Sequence, residues 1–297
     1  MQIYAEFLDQ CRYQFLYRSV MVFLITQSHF MLIDTHAHLY SKQFNNDRTA
    51  MLQRADTEGV KKIYLPAIDS ETHDAMIALE AEYPDRCFAM MGVHPCSINA
   101  DFEKELAIAE EWLSKRPFCA VGEIGIDLYW DKTFYEQQKT AFIRQMHWAQ
   151  DLGIPIVIHS REATDVIIDI LTENDFYTEG GILHCFTGNV EQAKTLIDLG
   201  FYLGIGGVST YKNGGLEPVI KEIPLEYLVI ETEAPYLAPV PFRGRRNESS
   251  YVKYVAERIS EIKIVDIKEV ARVTTANAEK IFSKMGQFVA QGWYVAS

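Results

Sequence analysis

Between Met31 and Met285 eight short apolar runs alternate with longer amphipathic ones, and this rhythm narrows the choice of fold sharply. The runs are Leu32–Asp34, Lys61–Ala67, Cys87–Gly92, Cys119–Glu123, Pro155–His159, Gly181–Cys185, Phe201–Ile205 and Glu226–Ile230. They are rich in Val, Ile, Leu and aromatic residues and too short for helices, so they read as strands. Helical patterns lie between them. One is expected from Thr133, where Thr133 and Glu136 match a capping box, to about Gly153. Another runs from Asn189, as N-cap, to Gly200, and a third starts near Asp266. Strand alternating with helix builds a parallel sheet with right-handed crossovers. Eight such units predict an α/β protein with a (β/α)8 TIM barrel. No linker, low-complexity segment or fixed repeat divides the chain, which predicts a single domain over residues 31–285. Residues 1–30 contain the apolar stretch Phe15 to Ile25, but Glu6 and Asp9 precede it and no small-residue cleavage site follows. They are expected to form an extension outside the fold rather than a signal peptide, and residues 286–297 a peripheral tail.

The residues that carry chemistry cluster at one end of these strands. His36 and His38 follow the first run in Ile33-Asp34-Thr35-His36-Ala37-His38. In extended backbone, positions i and i+2 point to the same side, so both imidazoles can face one point. Imidazole is a common ligand for zinc, manganese and iron, although two unrelated surface histidines would look the same locally. The rest of the chain decides between these readings. His94 follows strand three, Glu123 ends strand four, His159 ends strand five, His184 lies near the end of strand six, and Glu231 and Glu233 follow strand eight. In a barrel the carboxyl ends of the strands converge on one rim, where active sites form. A lone buried histidine after an apolar run would be ordinary core; His159 and His184 at the same height on successive strands are not. Four imidazoles and two carboxylates exceed what one open catalytic ion needs. Two divalent ions (Mg, Mn or Zn) are therefore expected, with Glu123 as the natural bridge, to clamp a phosphate and acidify a water. No lysine stands at the strand-four position, which excludes a carboxylated-lysine bridge.

The net charge of −13 excludes non-specific coating of nucleic acid or anionic membrane, so any polyanion must meet a local basic patch. Arg161 after strand five and Arg243, Arg245 and Arg246 after strand eight supply one. A solvated loop is the bland reading of such a run; its place on the rim favours phosphate contact. Tyr129 and Trp130 offer stacking faces for a base, with core or lid packing as the competing reading. Cys185 should point away from His184 and pack. Five scattered cysteines without a CxxC pair suggest reduced thiols and a cytoplasmic protein, and no run reaches the length of a membrane span.

The stretches IDTHAH, GVHP, VGEIGIDLYWD, IPIVIHSREA, ILHCFTGN, FYLGIGG, VIETEAPYLAP and RGRRNES, spread from Met31 to about Phe282, resemble the TatD family of metal-dependent deoxyribonucleases. The resemblance implies a TIM barrel with a dinuclear centre that hydrolyses phosphodiester bonds of DNA exonucleolytically, and we expect a monomer acting on DNA ends or single strands. By position, it implies that His36, His38 and Glu123 bind the first metal and that Glu123, His159 and His184 bind the second. His94 would sit beside the scissile phosphate. The family pattern ETDAP reads Glu231-Thr232-Glu233-Ala234-Pro235 here, so Glu233 stands where an aspartate would bind the first metal and orient the water. Glu231 matches a family glutamate and is expected to support the ligands rather than bind metal. The extra methylene at Glu233 displaces its carboxylate unless the side chain folds back. A misplacement of about 1 Å can cost on the order of 100-fold in rate. Two other readings stay open: a metallohydrolase of another ester, amide or lactone, and a catalytically weakened metal-binding scaffold.

Overall fold

The computed structural model describes residues 30–174, 176 and 180–283. The expected N-terminal extension, apart from Phe30, and the expected tail lie outside the described residues. The order of elements is β1 (Leu32–Asp34), α1 (Arg48–Thr57), β2 (Val60–Leu65), α2 (Ser70–Glu82), β3 (Cys87–Ala89), α3 (Phe102–Lys115) and β4 (Val121–Asp127). There follow α4 (Tyr135–Leu152), β5 (Ile156–Arg161), α5 (Thr164–Glu173), β6 (Gly181–Leu183), α6 (Val190–Asp198), β7 (Phe201–Ile205), α7 (Glu217–Glu222) and β8 (Leu228–Ile230). Two helices, α8 (Val252–Lys263) and α9 (Ile267–Ile281), complete the chain.

Every strand pairing is parallel, within a run β1-β2-β3 and a run β4 to β8. Short sets of contacts outside the named strands close the two runs into a barrel. Met91 bridges Val121 between β3 and β4, and the Thr35 N–H donates to the Ile230 carbonyl at 3.1 Å between β8 and β1. Closure removes the sheet edges that would otherwise need covering. Inside, Ile33, Tyr64, Met90, Ala120, Val157, Ile182, Tyr202 and Val229, one from each strand or its flank, join one apolar cluster. Ala278 and Ile281 from α9 and Phe282 just beyond it belong to the same cluster, and the Phe282 ring stacks on Tyr64 at 3.7 Å.

Local signals worked where side chain and backbone cooperate. Asn189 caps α6 by accepting from the Gln192 N–H, with Gln192 returning the bond, and Asp266 caps α9. Gly153 ends α4 at φ +64, a left-handed conformation that glycine adopts without Cβ strain. The Thr133–Glu136 box does not form. Asp131 accepts from the Thr133 N–H at 2.8 Å, an Asx turn that delays the helix to Tyr135. Strand four also differs from expectation, since β4 runs on to Asp127 and Glu123 is its third residue rather than its end. The β4–β5 register shifts between Val121 and Ile124, so Glu123 lies in an irregular part of the ladder. No helix among the described residues is long and apolar enough to cross a membrane.

Candidate metal centre

Five histidines from four strand ends meet at the carboxylate of Glu123. Its Oε1 lies 2.6 Å from His184 Nε2, 2.7 Å from His159 Nδ1 and 3.2 Å from His94 Nε2. Its Oε2 lies 3.1 Å from His36 Nε2 and 3.5 Å from His38 Nε2. An ionised carboxylate offers about four lone-pair directions, so five imidazole nitrogens cannot all be satisfied by Glu123 alone. Glu233 adds a second carboxylate, with Oε2 at 3.2 Å from His36 Nε2 and 3.7 Å from His184 Nδ1, and Oε1 at 3.9 Å from His38 Nε2. Three overlapping triads, His36-Glu123-His184, His36-His38-Glu233 and His94-Glu123-His159, each bring ligand atoms within 4.8 Å of one another. Buried His36 Nδ1, His184 Nδ1 and Glu233 Oε2 lack a hydrogen-bond partner. A buried polar atom without a partner is costly, and a cation meets that need. The residues fit divalent metal.

The backbone places these groups. Glu233 sits at φ +63, its N–H donates to the His36 carbonyl at 2.9 Å, and its carboxylate lies beside His36, His38 and His184. Glu231 is fully buried behind them; its carboxylate accepts from the Cys185 N–H and, at 3.5 Å, from the Thr35 hydroxyl. A Cβ at Gly204 would overlap the Glu231 carboxylate, so only glycine fits there. Cys185 departs from expectation. It lies beyond the end of β6 at φ +43, where strand alternation no longer applies, and lines the same cavity as His159, His184 and Glu233.

Four supporting residues escaped the sequence reading. Tyr40 binds His38 Nδ1 at 2.9 Å and donates to the Pro66 carbonyl at 2.6 Å. Asp127 Oδ2 holds His159 Nε2 at 2.9 Å, turning Nδ1 toward Glu123. Asp34 accepts from the Thr232 N–H at 2.9 Å and from its hydroxyl at 2.6 Å. Asn247 clamps the Glu233 loop by donating to the carbonyls of Thr232 and Tyr236, at 2.6 and 2.7 Å. The nearness of Tyr40 to His38 in sequence, and the place of Asp127 on the same strand as Glu123, were the available signals.

The expected arginines divide. Arg161 lies over the Tyr129 ring at 3.9 Å, and Arg243 lies over Tyr211 at 4.5 Å. Arg245 is exposed. Arg246 is engaged elsewhere, in a two-point bond to Asp47 at 2.6 and 2.7 Å above the Phe44 ring, so the expected phosphate contact does not carry over to it. Asp47 is drawn toward the guanidinium because the bidentate geometry satisfies both partners.

The family model described as TatD related DNase matches residues 33–283. This chain belongs to the TatD family. It is 42% identical over 253 residues to an uncharacterized metal-dependent hydrolase, YabD of Bacillus subtilis, covering 85% of this chain and 99% of that protein. It is 32% identical over 261 residues to the 3'-5' ssDNA/RNA exonuclease TatD of Pectobacterium parmentieri, covering 84% of this chain and 99% of that one. The crystal structure of the TatD homologue YjjV from Escherichia coli superposes with a TM-score of 0.80 at 32% identity, over 85% of this chain and 98% of that one.

Electrostatics of the TatD-family site favour cation uptake at neutral to alkaline pH. Burial pushes the Glu123 carboxyl upward, but His184, His94 and His36 overcome this and hold it well below the usual range. Burial lowers His36 and His94, and lowers His38 to about 4, so these rings are neutral and ready to ligate. His159 and His184 move up despite burial, through Asp127 and Glu123 for the first and Glu123 for the second. Burial raises Glu233 to about 8. A raised pKa means a proton that must leave before metal binds, and this competition weakens as pH rises. Apparent Mn²⁺ affinity should therefore increase from about pH 6 to about pH 8 with net proton release. Titration calorimetry in buffers of different ionisation enthalpy checks this; uptake of protons on binding would contradict it.

Proposed function

We propose that this protein uses two divalent ions to hydrolyse phosphodiester bonds of DNA, removing nucleotides from ends of single strands. The observation that carries the reading is the convergence of five imidazoles and the Glu233 carboxylate on Glu123. His36, His38, Glu123 and Glu233 are the residues suited to hold one ion, and Glu123, His159 and His184 the other. A bound pair of this kind supplies Lewis-acid polarisation of the phosphate and a water of lowered pKa. The chain's own groups do the rest. Glu233, beside His36 and His184, is suited to orient the attacking water and, once its own carboxyl has ionised, to accept a proton from it. His94, half-buried at 3.3 Å from His159, faces the same centre and is suited either to the phosphate or to a metal. Arg161 and Arg243 offer guanidinium groups on the rim to flanking phosphates. Cys87, Cys96, Cys119 and Cys185 are unpaired, which fits a reducing cytoplasm.

The test is direct. Metal-loaded protein should release nucleotides from a single-stranded oligonucleotide, EDTA should stop the release, and Mg²⁺ or Mn²⁺ should restore it. Intact oligonucleotide after incubation with the loaded protein ends the nuclease reading.

Glu233 gives a sharper test. Because the loop conformation brings the glutamate into the histidine cluster, the site is adapted to it. Shortening it by Glu233→Asp should lower kcat on the order of 10- to 100-fold. Stability should hold or rise slightly, since aspartate tolerates left-handed backbone better. A gain in turnover would instead mark the native protein as a weakened enzyme.

A further inference from the structure

The loop after β4 exposes two large aromatic side chains at the edge of the metal centre. Trp130 is 69% exposed and Tyr129 49%, with their rings edge to face at 4.9 Å. Packing does not explain them. A buried tryptophan would contribute a large apolar area to the core, and this one leaves most of it in water. The core reading of these residues therefore fails.

Their placement is controlled by the metal centre itself. Asp127 Oδ1 accepts from the N–H groups of Tyr129 and Trp130, at 2.9 and 3.1 Å. The other oxygen of the same carboxylate holds His159 at 2.9 Å. One side chain thus sets both the turn that displays the rings and the imidazole facing Glu123. The Arg161 guanidinium, two residues beyond His159 on β5, lies 3.9 Å from the Tyr129 ring and 5.3 Å from that of Trp130. Trp130 also borders a cavity of about 240 Å³ with Pro95, Cys96 and Phe134, which leads from the His94 turn.

We propose that Trp130, propped by Tyr129 and Arg161, is a stacking platform for a nucleobase of the polynucleotide whose phosphate reaches the metal centre. This rests on the nuclease reading above. The charge of the chain favours such a platform. At −13 the long-range field repels a polyanion, so affinity must come from short-range contacts. Stacking is such a contact, accepts any base, and is reinforced by a guanidinium that also meets the adjoining phosphate. It requires a base free of its complementary strand, which deepens the reading toward unpaired DNA. Trp130 acts on position rather than on bond cleavage.

Binding of a phosphorothioate single-stranded oligonucleotide to the metal-loaded protein, followed by fluorescence anisotropy, tests the proposal. Trp130→Ala should weaken binding roughly 5- to 100-fold, and Trp130→Phe should keep most of it. With a cleavable oligonucleotide the loss should fall on KM rather than kcat. An oligonucleotide with one abasic residue at the stacked position should bind wild type less well and lose little further affinity on Trp130→Ala. Metal content by elemental analysis should match wild type. Equal oligonucleotide binding by wild type and Trp130→Ala overturns the platform alone. Loss of metal in Trp130→Ala and Trp130→Phe alike overturns it in favour of a structural role. Failure of the wild type itself to bind any oligonucleotide overturns the nuclease reading, and the platform with it.

Discussion

Glu123→Gln is expected to strip divalent metal from the protein and to abolish phosphodiester hydrolysis. The substitution keeps the shape of the side chain and removes its charge. Five imidazole nitrogens lie within 3.5 Å of that carboxylate, and the residue is almost wholly buried. Deleting one partner from a buried charged cluster typically costs about 3–5 kcal/mol. Spent on metal binding and transition-state stabilisation, that is on the order of 100- to several thousand-fold in activity. The amide also brings N–H donors that meet imidazole donors instead of a shared acceptor. Elemental analysis and turnover on single-stranded DNA should fall together. A variant that keeps full metal content and activity would show that Glu123 is not the shared ligand. The barrel should survive, because the apolar cluster drawn from all eight strands does not include Glu123.

Asp34→Ala is expected to lower the unfolding temperature by roughly 6–12 °C, a loss of about 3 kcal/mol in a barrel of this size. Asp34 is fully buried, and burial raises its carboxyl to about 7. It accepts from the N–H and hydroxyl of Thr232 across the seam between β1 and β8. Removing it leaves two buried donors unsatisfied, each costing about 1–3 kcal/mol. It also frees the strand end that carries Glu231 and Glu233, so activity should fall beyond what lost stability explains. Asp34→Asn, which retains one acceptor oxygen, should recover part of both. Calorimetry and turnover measured on the three proteins decide the matter; an unchanged melting temperature in Asp34→Ala would remove the seam argument.

The RGRRNES stretch shows how a motif can be legible while its division of labour is not. Its charges read as phosphate contacts from the rim. In the fold, Arg246 binds Asp47, Glu248 binds Arg54 at 2.6 Å, and Asn247 pins the Glu233 loop. Those partners are far away in sequence, so no local pattern announces them. Cys185 was misplaced for a related reason. Alternation holds only while the backbone is extended, and the chain turns at that residue.

By itself the sequence pointed to the barrel and to the histidines and carboxylates that the fold gathers into candidate metal-binding groups. The barrel rests on apolar period and strand length, and the gathering of these residues on the rule that strand ends of a barrel share one rim; their division between two metals is what the family resemblance implies. Tertiary structure alone decided how five imidazoles share one carboxylate, where the Glu233 carboxylate lies, and how Asp34, Tyr40, Asp127 and Asn247 hold them. These depend on hydrogen bonds between strand ends that closure of the barrel brings together, and on burial that only packing creates.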